Sequence, residues 1–100
     1  MKAPARERRR VTVRGIVQGV GFRPFVYALA RKHELSGMVR NDAEGVRIEV
    51  EGPREELERF VRALEEDAPP LAVVESVRWQ PLAGRGVHGA RLHQCATVFM

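Results

Sequence analysis

The sequence predicts one α+β domain, an antiparallel sheet that carries two helices on one face. Three observations predict this class. The 100 residues, 44% of them hydrophobic, suit a single compact core. Segments that alternate apolar and polar residues, as strands do, are interspersed with two segments of helical periodicity. Their order is β-α-β-β-α-β, which defines the split βαβ, or ferredoxin-like, arrangement.

The first half of the chain predicts a strand, a glycine-rich loop and a helix. Residues 9 to 17, RRVTVRGIV, alternate as a half-buried strand does. After the loop, apolar residues recur at helical spacing as far as a basic last turn, residues 31 to 33, which complements the helix dipole. Pro24 is compatible with the first helical turn, because the N–H group that it lacks has no partner there. We expect this helix to end before Gly37.

The second half predicts a hairpin, a helix and a fourth strand. In VRIEVEG the side chains of Val46, Ile48 and Val50 are expected to face inward. Pro53 opens PREELERFVRALEEDA, whose leucines, phenylalanine and valine form one apolar stripe. The following AVVESVRWQP is a strand ended by Pro81.

These elements divide the chain into three parts. Residues 1 to 8 carry charge without periodicity and are interpreted as a mobile basic arm. The domain proper spans residues 9 to 81. Residues 82 to 100 form a divergent tail that can supply a fifth, edge strand. An exposed sheet edge invites pairing with a second chain, so a monomer and an edge-paired dimer both remain open.

Composition limits the partners. The formal charge of +4 attracts anions without choosing among them. No stretch approaches the roughly 20 apolar residues of a membrane span, so no membrane partner is expected. The single cysteine, Cys95, cannot form an internal disulfide or a cysteine-ligated zinc site. The missing disulfide fits a reducing, cytoplasmic location. We expect neither a metal nor a cofactor.

The loop VQGVGFRPF has the features of a phosphate site. A strand that turns into a helix N-terminus directs unpaired N–H groups and the positive end of a dipole to one point. Gly19 and Gly21 allow the backbone to curl around an anion, and Arg23 adds a bidentate guanidinium. The spacing fits neither the dinucleotide fingerprint nor the P-loop. A tight turn with an exposed arginine explains the pattern equally well at this point.

Asn41, in VRND, ends the second strand and is the second candidate. In a split βαβ sheet this end can lie near the loop, where a neutral amide could accept a hydrogen bond from water and align its lone pair with a bound phosphorus. Alternatively, NDAEG simply begins a hairpin turn.

A family resemblance favours the functional interpretation of both motifs. GIVQGVGFRPFVYALA, LSGMVRNDAEGVRIEVEG and FVRALEEDAPPLAVVESV resemble the acylphosphatase family over about residues 9 to 80. The resemblance implies metal-free hydrolysis of acyl phosphates to a carboxylate and inorganic phosphate. It implies that Asn41 orients the attacking water and that the Arg23 side chain and the loop backbone hold the phosphate. The implied phosphate-binding residues are Gln18, Gly19, Val20, Gly21, Phe22 and Arg23.

Two alternatives remain beside an acylphosphate phosphohydrolase. GFRPFVY and APPLAVVESV resemble the N-terminal domain of the hydrogenase-maturation carbamoyltransferases more than free-standing acylphosphatases. That resemblance implies a domain that handles carbamoyl phosphate for a larger enzyme. An RNA-binding module is a minor alternative suggested by residues 8 to 10. The absence of aromatic residues from the first and third strands argues against nucleic acid.

Overall fold

The computed structural model describes residues 6–43, 45–82 and 96–99. They form five strands and two helices, in the order β1 (Arg6–Ile16), α1 (Phe22–Lys32), β2 (Ser36–Asp42), β3 (Gly45–Pro53), α2 (Arg54–Glu66), β4 (Val73–Leu82) and β5 (Ala96–Phe99). The strands form one sheet in the order β4-β1-β3-β2-β5. Every neighbouring pair of strands is antiparallel. The predicted ferredoxin-like fold is therefore confirmed.

A single core lies between the sheet and the two helices. Alternate residues of β1 and β3 are buried, including Val46, Ile48 and Val50, as the sequence predicts. The helices contribute one apolar stripe each, with Val26 and Phe60 fully buried. The opposite face of the sheet carries mostly charged side chains, because the intervening strand residues point there. Because only a short loop joins β1 to α1, the end of β1 and the start of α1 lie at the same end of the sheet.

The strand β1 begins three residues earlier than predicted. Arg6 to Arg8 pair with the end of β3 and do not belong to a mobile arm. Their charges obscured the alternation, but the structure gives them partners: Arg6 lies 3.6 Å from a carboxylate oxygen of Glu51. Residues 1 to 5 lie outside the described part of the chain.

The C-terminal tail also differs from its predicted boundary. β4 continues through Pro81 to Leu82, which an edge strand permits because it needs no further N–H donor. Residues 83–95, including Cys95, lie outside the described residues. The backbone of β5 pairs with β2 and provides the fifth edge strand that the sequence left open. Of the two helices described, neither has the length or the apolar composition to cross a bilayer.

A glycine at a bulge fixes the end of β1. The register between β1 and β4 shifts between Arg14 and Gly15, where the backbone of Gly15 has φ of 133°. A Cβ atom at Gly15 would collide with the carbonyl oxygen of Val73 on β4. Because the loop starts two residues later, this close approach sets the direction in which the chain enters the loop.

We expect Gly15→Ala to destabilise the fold strongly. The methyl group combines an unfavourable φ with a backbone clash, which together cost about 3 kcal/mol of unfolding free energy. Urea denaturation at pH 7 measures the loss. Ser76→Ala, on the adjacent strand, serves as a control and should change stability by less than about 0.5 kcal/mol. A loss below about 1 kcal/mol for Gly15→Ala would show that the bulge tolerates a side chain.

A hydrogen bond joins the end of α1 to the start of α2. The Nδ1 atom of His33 lies 2.8 Å from a carboxylate oxygen of Glu56. This bond, reinforced by the nearby guanidinium of Arg59, holds the pKa of Glu56 below its ordinary value. His33, which the sequence indicated only as part of the basic last turn that complements the helix dipole, therefore links the two helices.

The lowered pKa of Glu56 predicts a pH dependence of stability. A carboxyl group with a depressed folded-state pKa stabilises the fold above its unfolded pKa of about 4.3, and this contribution is lost as the pH falls through the folded value. We expect Glu56→Gln to lower stability at pH 7 and to leave it nearly unchanged at pH 3, relative to wild type. Chemical denaturation at both pH values measures the difference. Glu55→Gln, in the same helical turn, is the matched control, and an equal effect in both variants would contradict the assignment.

Candidate active site

The loop between β1 and α1 has the backbone that an anion site needs. Gly19 and Gly21 adopt φ of 75° and 81°, in the left-handed region that favours glycine. A Cβ atom at either position would meet no neighbouring atom within 4 Å, so conformation and not crowding requires glycine there. Gly21 caps α1, and its carbonyl accepts the hydrogen bond of the Phe25 N–H at 3.2 Å.

The helix N-terminus adds favourable electrostatics. The first turn of α1 contains no acidic residue, so no carboxylate of that turn offsets the positive end of the helix dipole. Phe22 is buried in the core and Val20 packs against it. These two side chains anchor the loop to the core. Arg23, the second residue of α1, is half-buried.

Asn41 lies at the end of β2. It pairs with Val46 of β3, which is fully buried on the helix-bearing face. Directly opposed residues of antiparallel strands share a face, so Asn41 extends this face toward the exposed end of the sheet. The next residue, Asp42, accepts a hydrogen bond from the Ala43 N–H and lies 3.0 Å from a guanidinium nitrogen of Arg47. These contacts fix the turn that follows Asn41.

The two halves of the predicted site are joined by the side chain of Gln18. Its Nε2 atom donates hydrogen bonds to the carbonyl oxygens of Asp42 at 2.6 Å and Gly45 at 2.8 Å. The loop therefore lies within one side chain's length of the strand end that carries Asn41. The sequence assigned Gln18 only a backbone role, and no local pattern indicates a contact with residues 24 and 27 positions away.

The arginine run at residues 8 to 10 is used within the fold. Arg8 and Arg10 lie 3.5 and 3.6 Å from carboxylate oxygens of Glu49. Arg9 is 3% exposed, pairs with Glu7 and stacks 3.8 Å from the ring centre of Trp79. Trp79 packs beside the sheet through this contact and remains 46% exposed. These pairings leave the RNA-binding alternative without a specific observation in its favour.

A groove at the other end of the fold contains none of the predicted site residues. It measures about 760 Å³ and lies between the end of α1 and the start of α2. Both acidic and basic side chains line it, including Lys32, Glu34 and Arg54, so it does not favour an anion as the loop does. Within the part of the chain that the structure describes, no three or more histidine, cysteine, aspartate or glutamate side chains are grouped as metal ligands.

Comparison with protein families identifies this architecture. The Acylphosphatase family model matches residues 9–90. This chain belongs to the acylphosphatase family. Individual acylphosphatases match the chain over most of their length. The acylphosphatase from Caldivirga maquilingensis is 47% identical over 77 residues, which cover 75% of this chain and 80% of that protein. The solved structure of an acylphosphatase from Coxiella burnetii superposes with a TM-score of 0.76 at 33% identity, covering 81% of this chain and 85% of that one.

The family includes much longer proteins that match this chain at least as well. The carbamoyltransferase HypF2 of Cupriavidus necator is 54% identical over 74 residues, covering 74% of this chain and 9% of its own length. The chain thus spans about a tenth of the length of the curated carbamoyltransferases that it matches. Both resemblances predicted from the sequence are confirmed.

Proposed function

We propose that this chain hydrolyses acyl phosphates to a carboxylate and inorganic phosphate without a metal ion. The observation that carries the proposal is the left-handed glycine loop at the N-terminus of α1, followed at once by Arg23 and joined through Gln18 to the strand end of Asn41. Family membership supports the same reaction, because relatives 42 to 47% identical are acylphosphatases.

The chemistry of the substrate fits so simple a site. In an acyl phosphate the leaving group is a carboxylate, whose conjugate acid has a pKa of roughly 4, so its departure needs no strong general acid. Transfer of the phosphoryl group chiefly requires charge stabilisation and in-line positioning of the nucleophile. A set of main-chain N–H groups, one arginine and one amide can supply both.

Each candidate residue then has a distinct role. The main-chain N–H groups of the loop and the first turn of α1, from residues 18 to 23, hold the phosphate oxygens, and Arg23 adds a bidentate pair of donors. Asn41 accepts a hydrogen bond from water and aligns the water oxygen with phosphorus. The new phosphorus–oxygen bond forms as the bond between phosphorus and the acyl oxygen breaks, and the bonding electrons leave with the carboxylate. One proton of the attacking water passes to a phosphate oxygen, so the products are the carboxylate and dihydrogen phosphate.

Carbamoyl phosphate is the second candidate ligand, in a domain that serves a larger transferase and hydrolyses little alone. The observation in its favour is the 54% identity to a carbamoyltransferase, which exceeds the identity to the acylphosphatases. Carbamoyl phosphate is itself an acyl phosphate, so the same phosphate contacts serve both functions. The cytoplasmic location and the choice between monomer and edge-paired dimer stay predictions from the sequence.

Phosphate release from benzoyl phosphate and carbamoyl phosphate, measured with the purified protein in EDTA, tests the proposal. Release from either substrate above the spontaneous rate supports an acylphosphatase, and the ratio of kcat/KM values indicates which acyl group the site prefers. No release, with inorganic phosphate still raising the melting temperature, would instead support the binding domain. Absence of both effects would contradict the phosphate site.

A further inference from the structure

We propose that the side chain of Gln18 is a positioning residue, which holds the phosphate loop and Asn41 at a fixed separation. This inference rests on the proposed function for its effect on turnover. The connection between the loop and the hairpin does not depend on that function, because it rests on two hydrogen bonds of the Gln18 side chain. The Nε2 atom of Gln18 uses both of its N–H groups, one on each side of the turn between β2 and β3.

The two acceptors are the carbonyl groups at which the hairpin closes. Asp42 is the last residue of β2 and Gly45 is the first of β3, and they are paired across the turn. The pairing between β3 and β1 also ends at Gly45, which lies opposite Arg14. A Cβ atom at Gly45 would collide with the carbonyl oxygen of Val13, so this strand end is pressed against β1. Gln18 thus bonds to a part of the sheet that lies close against β1.

The donor lies at the entrance of the loop. Val17, the preceding residue, is buried in the core. At the exit of the loop, the Phe25 N–H bonds to the Gly21 carbonyl. Between these anchors lie two left-handed glycines, which allow the loop alternative conformations. The Gln18 amide is a side-chain connection from this segment to the strand that carries Asn41.

The consequence for the reaction follows from what each end holds. In the proposed site the loop binds the phosphate by its main-chain N–H groups and through Arg23, and these contacts do not require the side chain of Gln18. The distance from phosphorus to the water on Asn41 does depend on how the loop is held against the end of β2. A displacement of about 1 Å in such a geometry can lower a rate about a hundredfold. Loss of the Gln18 amide should therefore lower kcat and leave phosphate affinity nearly intact.

The test replaces Gln18 by methionine, which keeps the length of the side chain but removes both donors. We expect kcat for benzoyl phosphate to fall about 10- to 100-fold, with KM and the inhibition constant of inorganic phosphate within about threefold of wild type. Gln80→Met, at an exposed glutamine of β4, is the matched control and should match wild type. In an Asn41→Ala background, Gln18→Met should lower kcat less than twofold, because the residue through which it acts is gone.

A second readout does not depend on activity. Asn41 is the single asparagine of the sequence, so protein labelled with ¹⁵N-asparagine gives one side-chain NH₂ pair in an NMR spectrum. We expect Gln18→Met to shift or broaden this pair, and Gln80→Met to leave it in place. Far-UV circular dichroism and urea denaturation establish that each variant is folded. Gln18→Asn, whose amide is too short to reach both carbonyls, replaces Gln18→Met if that variant does not fold.

The outcomes separate this inference from the proposed function. An active wild type with an unchanged kcat for Gln18→Met, or with an unchanged Asn41 signal, would overturn the positioning role and leave the function standing. An inactive wild type would contradict the function, and the Asn41 signal would then decide the structural connection by itself. A fall in kcat that persists in the Asn41→Ala background would also overturn it, since Gln18 would then act independently of Asn41.

Discussion

Arg23→Ala is expected to remove both phosphate binding and hydrolysis. Arg23 is half-buried and lies in the first turn of α1, and in the proposed site its guanidinium binds two phosphate oxygens at once. Removing a charged group of this kind from a phosphoryl-transfer site typically costs about 10³-fold or more in rate. We expect kcat/KM for benzoyl phosphate to fall at least to that extent, and inorganic phosphate to lose its effect on the melting temperature.

Two further variants serve as controls, one for the removal of an arginine from the same helix and one for the loss of positive charge at position 23. Arg31→Ala removes an arginine from the last turn of the same helix, away from the loop, and should retain nearly full activity. Arg23→Lys keeps the charge but loses the planar pair of donors, so it should bind phosphate weakly and turn over slowly. Wild-type activity in a folded Arg23→Ala variant would exclude the proposed phosphate site.

Asn41→Ala is expected to lower turnover while sparing phosphate binding. The amide lies at the end of β2, and in the proposed mechanism it contacts water and not the phosphate oxygens. Loss of water alignment should reduce kcat by about 10²- to 10³-fold. The inhibition constant for inorganic phosphate should stay within about threefold of wild type. Steady-state kinetics with product inhibition measure both quantities in one series.

The separation of the two effects is the informative part of this prediction. A fold defect would lower binding and turnover together, so equal losses in both would argue against a water-aligning role. Gln80→Ala removes an exposed amide elsewhere and controls for the loss of a polar side chain. A fully active Asn41→Ala variant would require another group to orient the water.

The sequence predicted the fold well because its local patterns agree with the tertiary structure. Alternation in β3 and the stripe in α2 each indicated the correct element and buried face. Prediction failed where tertiary contacts outweigh local pattern. The charged residues 6 to 8 join β1 because β3 supplies both backbone partners and carboxylates. Arg9 is buried, where it pairs with Glu7 and stacks on Trp79, and periodicity alone does not anticipate a charged residue at an inward-facing position.

The candidate site shows the same division. Glycine conformation and the helix N-terminus are local properties, so Gly19, Gly21 and Arg23 could be identified from their spacing and the family resemblance. The contacts of Gln18 depend on where the hairpin between β2 and β3 ends in space. The hydrogen bond between His33 and Glu56 likewise depends on how the two helices meet. Such connections are side-chain bonds between distant segments, which the sequence does not encode as a pattern.

The central claim is that water held by Asn41 attacks the phosphorus of a phosphoryl group held by the loop and Arg23. Hydrolysis of benzoyl phosphate in H₂¹⁸O, with EDTA present and the products analysed by mass spectrometry, tests it most directly. The account predicts that the enzyme-dependent reaction places ¹⁸O in inorganic phosphate and leaves benzoate unlabelled. Label in benzoate would show attack on the acyl carbon and would contradict the mechanism.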